Sequence, residues 1–403
     1  MKKQKRVLLV LMAAGTLTAT QAGCNRKPNK NETAAKNLDQ KLHLKGYYRR
    51  FPWKQGGHKE AMQMALAGTT VPLAEYSFTA SKDGQNYTGV LVGTSPFSKP
   101  LAGSTINAVV VPVKVTIGST TFDPTVPNSC DGNVPALTRF RQSPLANDVP
   151  DLTMNGVDMG NVQFINGQRR AEFWTIIQGS AVYQNELNYS VANLYELTAA
   201  VVGRHGTIVG SGCAQIGILS TNWLDGILQS TVLPSLTSSG VVSPNMVVLF
   251  FFENTVQSDS DPPDTSSCCV LGYHSAAGTP VQTYGTIDWD TSGNFSGVSD
   301  GSIASHEIGE WMDDPLANNA TPPWGNVGQV SDCQGNWEVG DPLSGTLMPA
   351  ITMNGKAYHM QELGFFSWYF NKDGDPSVGA GGKFSSAGTF QGPAKACPPG
   401  GTN

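Results

Sequence analysis

Asp300-Gly301-Ser302-Ile303-Ala304-Ser305-His306-Glu307-Ile308-Gly309-Glu310-Trp311-Met312-Asp313-Asp314-Pro315 is the stretch of this 403-residue chain that carries most meaning. Asp300 or Ser302 supplies an N-cap, and Pro315 with Asn318 and Asn319 stops the run, so it reads as a helix of about four turns. At roughly 100° per residue, Ala304, Ile308 and Trp311 share one stripe, while His306, Glu310 and Asp313 fall on the opposite face. Docked on a sheet by its apolar stripe, such a helix aims an imidazole and two carboxylates into a common space.

That frame is close to the His-Glu-x-x-His motif of zincins. There, two His four residues apart hold zinc from one helical face, and the Glu after the first polarises water. Here the order is His306-Glu307-x-x-Glu310, with a carboxylate in place of the second His. Glutamate ligates zinc through oxygen, so the geometry survives, and Mn²⁺ or Ca²⁺ become compatible alternatives. A His-Glu-x-x-Glu sequence also arises by chance on solvated helix faces, so its surroundings decide its meaning.

Gly272-Tyr273-His274 precedes the helix. After it come Glu338-Val339-Gly340-Asp341, Met353-Asn354-Gly355 and Phe365-Phe366-Ser367-Trp368-Tyr369-Phe370-Asn371. In this order the set resembles the exordium-like (phosphate-induced) family and exported bacterial proteins with a His-Glu-x-x-Glu helix, over about residues 268–371. The resemblance implies a zincin-like fold in which an Asn-Gly hairpin leads to an aromatic strand. It marks His306, Glu307, Glu310, Asp314, Glu338 and Asp341. The roles implied are His306 and Glu310 as helix ligands, Glu307 as general base, Glu338 as third ligand and Asp341 as the partner that orients His306. His274 is the alternative third ligand. His359 reads as structural, and Asp373-Gly374-Asp375 as a turn.

Outward from the helix, the periodicities predict a buried helix over Trp223–Leu233 stopped by Pro234, and strands at Met246–Phe252 and Tyr284–Trp289. The acidic Ser258–Ser267 run reads as a solvated loop. Further upstream, Lys82-Asp83-Gly84-Gln85 turns a hairpin between Tyr76–Ser81 and Asn86–Val92. Ile106–Ile117 is a strand whose Pro112 suggests a bulge or a sheet edge. Phe122–Pro150 reads mostly as loop. Gln168 to Trp174 reads as a core edge with snorkelling Arg169 and Arg170 stems, with an aromatic ligand platform as the other reading.

At the N-terminus, Lys2, Lys3, Lys5 and Arg6, the apolar run Val7–Ala14 and the small-residue exit to Ala22-Gly23-Cys24 form a secretion leader. Cleavage before Cys24 would present it for lipidation; cleavage after Ala22 would free a soluble protein. The six further cysteines, Cys130, Cys213, Cys268, Cys269, Cys333 and Cys397, suit three disulfides in an oxidising compartment. Cys268 and Cys269 are neighbours and are expected to bond to different partners. Without the leader's four cations, 22 basic residues face 31 acidic ones, a balance of −9 that argues against nucleic acid. Membrane contact is expected only through a lipid anchor.

The fold expected is α+β. A signal peptide (1–23) and a flexible tether (24–45) lead to a β-rich N-terminal region (46–210), a zincin-like region (211–390) and a C-terminal tail (391–403). Three functional classes follow. The first is an exported metal-dependent hydrolase, a zinc metallopeptidase acting on extracellular peptides or proteins. The second is a non-catalytic binding protein for a cell-surface ligand that retains a structural metal. The third is a β-rich exported protein without metal, whose helix carboxylates face water.

Overall fold

The computed structural model describes residues 41–372, 376–378 and 382–398 and has an α+β fold. The expected leader, Cys24, most of the tether and the Asp373–Asp375 turn lie outside the described residues. The end of the tether is pinned to the body, because Leu44 bridges Phe295.

An 11-stranded mixed sheet organises the molecule. In chain order its strands are β1 (Tyr47–Phe51), β2 (Gly103–Ile117), β3 (Thr120–Phe122), β4 (Gln184–Val191), β5 (Tyr195–Leu197), β6 (Gly206–Val209), β7 (Ile216–Ser220), β8 (Met246–Glu253), β9 (Thr255–Ser258), β10 (Cys268–Ala277) and β11 (Gln282–Trp289). The spatial path is β6-β7-β9-β10-β11-β8-β2-β3, with β1 added to β10, and β4 and β5 added to β2. Strands from both sides of the expected 210/211 boundary therefore share one sheet, and β6 pairs with β7 directly across it.

Ala108–Val113 of β2 and Met246–Phe252 of β8 are unbroken apolar runs because both of their faces are covered. Val110, Leu249 and Phe251 pack on one side with Ile287, Trp289 and the site helix residues Ala304, Ile308 and Trp311. Val109, Val111, Phe250 and Phe252 pack on the other with Leu224, Leu228 and Leu233. Pro112 lies within β2 opposite Phe251 of β8, so β2 is an interior strand rather than an edge. The ring is accommodated because the partner on its other side breaks there: β4 ends opposite Val110 and β5 begins opposite Val113. No ladder donor is needed at the gap.

The hairpin forms as Leu73–Thr79 against Asn86–Val92. Pro234 does not stop its helix. The run Thr221–Ile227 widens through Leu228–Val232 and continues as Leu233–Ser238, with Pro234 directly after the widened turn. The Asn354-Gly355 turn joins Ile351–Met353 to Lys356–Tyr358 as expected. The aromatic run that follows is a helix, Phe366–Phe370, closed by Asn371 in the left-handed region, and not a strand. A helix, Ala136–Arg141, also interrupts the expected 122–150 loop.

Arg169 and Arg170 do not snorkel. They lie in the buried helix Phe164–Glu172, and Arg169 pairs with Asp313 and, at 3.9 Å, with Glu172. Three disulfides form: Cys130–Cys213, Cys333–Cys397 and the neighbouring pair Cys268–Cys269, which joins across a cis peptide. The expectation of separate partners for Cys268 and Cys269 is thus overturned, because the other four cysteines satisfy one another.

Candidate metal centre

The site helix runs Ser302–Asp313, and all twelve residues are buried. Its predicted side-chain caps do not form; Gly301 holds the cap position, and Asp300 instead accepts from His359 N at 2.8 Å and contacts His359 Nδ1 at 2.8 Å. The helix leaves the sheet after β11 and returns across β10, close enough that a Cβ at Gly272 would stand 2.9 Å from Glu307 Cγ. Glycine is required there by that close approach.

Lying helix on strand brings His306, Glu307 and Glu310 to His274 of β10, and a loop beyond the helix adds Glu338 and Asp341. His274 Nδ1 is 3.4 Å from Glu307 Oε2 and 3.6 Å from Glu310 Oε2, and its Nε2 is 3.7 Å from Glu338 Oε2. His306 Nε2 is 3.1 Å from Glu310 Oε1 and 3.7 Å from Asp341 Oδ1. Two overlapping groups, His274–Glu310–Glu338 and His306–Glu310–Asp341, could each hold a metal ion. Glu310 belongs to both. In each group one ligand atom per residue lies within 4.8 Å of the others, and closing to the roughly 3.3–3.5 Å spacing that tetrahedral bonds of about 2.0–2.1 Å imply would draw them inward.

Not every predicted residue joins the cluster. Asp313, expected on the site face, turns to Arg169 instead. Asp314 holds the turn after the helix by accepting from the Asn318 and Asn319 amides at 2.8 and 2.9 Å. Asp341 lies on the Nε2 side of His306, and its Oδ2 accepts from Gln334 Nε2 at 3.0 Å.

The group that fixes the His306 ring is Gln361, which the sequence did not bring forward. Its amide nitrogen is 2.8 Å from both His306 Nδ1 and the Gly340 carbonyl. A carbonyl only accepts, so the atom facing it is the NH₂, and Nδ1 is then an acceptor too. A neutral His306 therefore carries its proton on Nε2, facing Glu310. The two rings differ in what holds Nδ1, which is Gln361 for His306 and, at 3.4 Å, the Glu307 carboxylate for His274; neither Nε2 has a hydrogen-bond partner. One nitrogen held by a carboxylate and the other bare is the usual state of a metal-ligating imidazole.

Electrostatics favour a cation at this place. Burial pushes His274 down to about 3, helped by Arg50 and His306, and pushes His306 down to about 4, so both rings are neutral at neutral pH. Burial, then repulsion from Glu310 and Glu338, drives the Glu307 carboxyl well above its ordinary range. Glu310 and Glu338 are raised likewise, chiefly by burial, and so is Asp341. Glu307 Oε1 and Glu338 Oε2 have no hydrogen-bond partner. The guanidinium at the cluster is Arg50, 3.1 Å from Glu338 Oε1. Buried acids this crowded stay protonated unless positive charge enters, and a divalent ion would let them ionise.

Two further residues cover the site, both from β1. The Tyr48 ring stacks on His306 at 3.4 Å and 11°, and Arg50 sits opposite His274 in the strand register. More than 200 residues separate them from the helix, and neither showed a motif that pointed to it.

No family model, curated protein or solved structure matches this chain.

Proposed function

We propose that the protein is an exported metal-dependent hydrolase of peptides, with the cation held by His274, Glu310 and Glu338. The observation that carries this reading is the His274 ring, whose bare Nε2 faces Glu338 while Glu307 holds its Nδ1 side. One nitrogen and two carboxylate oxygens suit zinc, with manganese the nearest alternative. When bound, the ion would supply Lewis acidity at a substrate carbonyl. The chain's own residues do the rest. Glu307 keeps Oε1 free to accept a proton from attacking water, and Oε2 orients His274. The Gly340 and Asp341 amides hold Glu310 Oε1, at 3.1 and 3.2 Å. This reading keeps the helix of the zincin-like resemblance and moves the imidazole ligand from the helix to β10. The three disulfides support an oxidising compartment.

Burial favours a second reading, a structural ion in a non-catalytic binding protein, since His274, His306, Glu307, Glu310 and Glu338 are each at most 2 % exposed. Elemental analysis of protein purified without chelator, joined to Glu307→Gln, separates the two. A hydrolase retains about one ion per chain in both proteins and loses roughly 10²–10⁴-fold in peptide turnover in the variant. A metal-replete wild type without turnover on a broad peptide library supports the structural reading, and a wild type that takes up no ion overturns both.

A further inference from the structure

We infer that the strip along β10 now filled by β1 is a docking lane for an extended polypeptide, with Tyr47–Phe51 its resident, self-capping occupant. This deepens the hydrolase reading and rests on it for the identity of the site.

Four observations converge. First, β1 is held as a bound peptide would be, by its backbone. It pairs in parallel with β10, Arg50 opposite His274 and Phe51 opposite Ser275. On its other side the Gln329 side chain accepts from Tyr48 N at 2.8 Å and donates to Tyr48 O at 3.0 Å. A strand edge and a two-point amide clamp grip any extended segment whatever its side chains.

Second, alternate side chains of β1 fill the site. Tyr48 lies flat on His306, and Arg50 pairs with Glu338 and reaches the Asn336 side chain and, at 2.9 Å, the Ala317 carbonyl. An aromatic residue two places before a basic one is therefore the pattern the lane accepts. Third, of the other side chains Tyr47 and Arg49 reach outward, where both meet Asp259 at 2.8 and 3.2 Å, and Phe51 packs edge-on against Tyr273 at 4.9 Å. Fourth, the lane continues past Tyr48 into a cleft of about 330 Å³ lined by His43, Lys45, Leu271, Gln329 and Ser344.

β1 pairs with β10 alone and is five residues long; after it Pro52 is exposed, Trp53 is buried and gives its amide to the Leu316 carbonyl at 3.0 Å, and Lys54 and Gln55 are exposed. It can leave without breaking any other ladder. While it stays, Tyr48 and Arg50 lie over His306 and Glu338.

Two experiments test this on the full chain. In the intact protein, amides of Tyr47–Phe51 should exchange hydrogen at least ~100-fold faster than those of β8. Equal protection would show β1 to be an integral strand and overturn the lane. In the second, a specific protease site is inserted between Gln55 and Gly56, and the protein is nicked after folding. A fluorescein-labelled peptide with the sequence Lys45–Trp53 should bind the nicked protein and not the intact one. Its R50E version should bind at least ~10-fold more weakly. A nicked protein that keeps its circular dichroism and melting transition but takes no peptide overturns the lane, as does equal binding to intact protein. Zinc titration of the same sample reads the site separately. Zinc uptake without peptide binding sinks the lane alone, and peptide binding without zinc uptake sinks the hydrolase reading alone.

Discussion

The two histidines of the cluster look alike in burial and differ in what each nitrogen faces. Gln361 donates to His306 Nδ1, which puts that ring's proton on Nε2, whereas His274 Nδ1 faces the Glu307 carboxylate, which leaves its Nε2 free of a proton. His274→Ala should therefore abolish stoichiometric zinc binding, while His306→Ala should weaken affinity by about 10–100-fold, the usual effect of losing a residue that orients a ligand. Equilibrium dialysis reads both, and the reverse order would return the helix histidine to the metal. The motif was legible in sequence because His306, Glu307 and Glu310 are neighbours on one turn. Which ring bears its proton where was not, since Gln361 and Gly340 reach His306 from loops far along the chain.

Asp313 shows how one element is anchored by another. It sits at the C-terminal end of the site helix, where the dipole disfavours an acid. Arg169 of the Phe164–Glu172 helix neutralises it in full burial. Asp313→Ala leaves that guanidinium with Glu172 at 3.9 Å as its remaining acidic partner, and should cost about 3–5 kcal/mol in urea unfolding. A loss under 1 kcal/mol would show that Arg169 finds solvent, as the sequence pattern had suggested. Helix periodicity placed Asp313 on the polar face correctly. It did not distinguish a face turned to a cavity from one turned to another helix.

Two properties belong to the molecule as a whole. The six described cysteines are all paired, so denatured, unreduced protein should show none of their thiols to a thiol reagent. Two free thiols would remove the Cys268–Cys269 bond. The second property is pH dependence away from the site. Burial raises Glu253 to about 7, against donation from Asn128 and with repulsion from Asp131 and Asp123. Its folded state binds a proton that the unfolded chain releases near pH 4.5, so this contribution to stability is present at low pH and is lost as pH rises toward 7. Glu253→Gln should flatten the decline in stability between pH 4.5 and 7. Parallel pH profiles for the two proteins in urea unfolding would count against that assignment.

Sequence alone determined the site helix, the hairpin at 76–92, the interior strand at 246–252 and the carboxylate-rich character of the centre. These rest on periodicity and turn chemistry, which act between residues a few positions apart. Tertiary structure decided the rest. It broke the ladder beside Pro112, turned the aromatic run after Gly364 into a helix and joined Cys268 to Cys269. It carried Tyr48 and Arg50 onto His306 and Glu338. Each of those outcomes depends on which backbone groups and charges remain unpartnered once the sheet has closed. That is a property of positions hundreds of residues apart, and no local pattern records it.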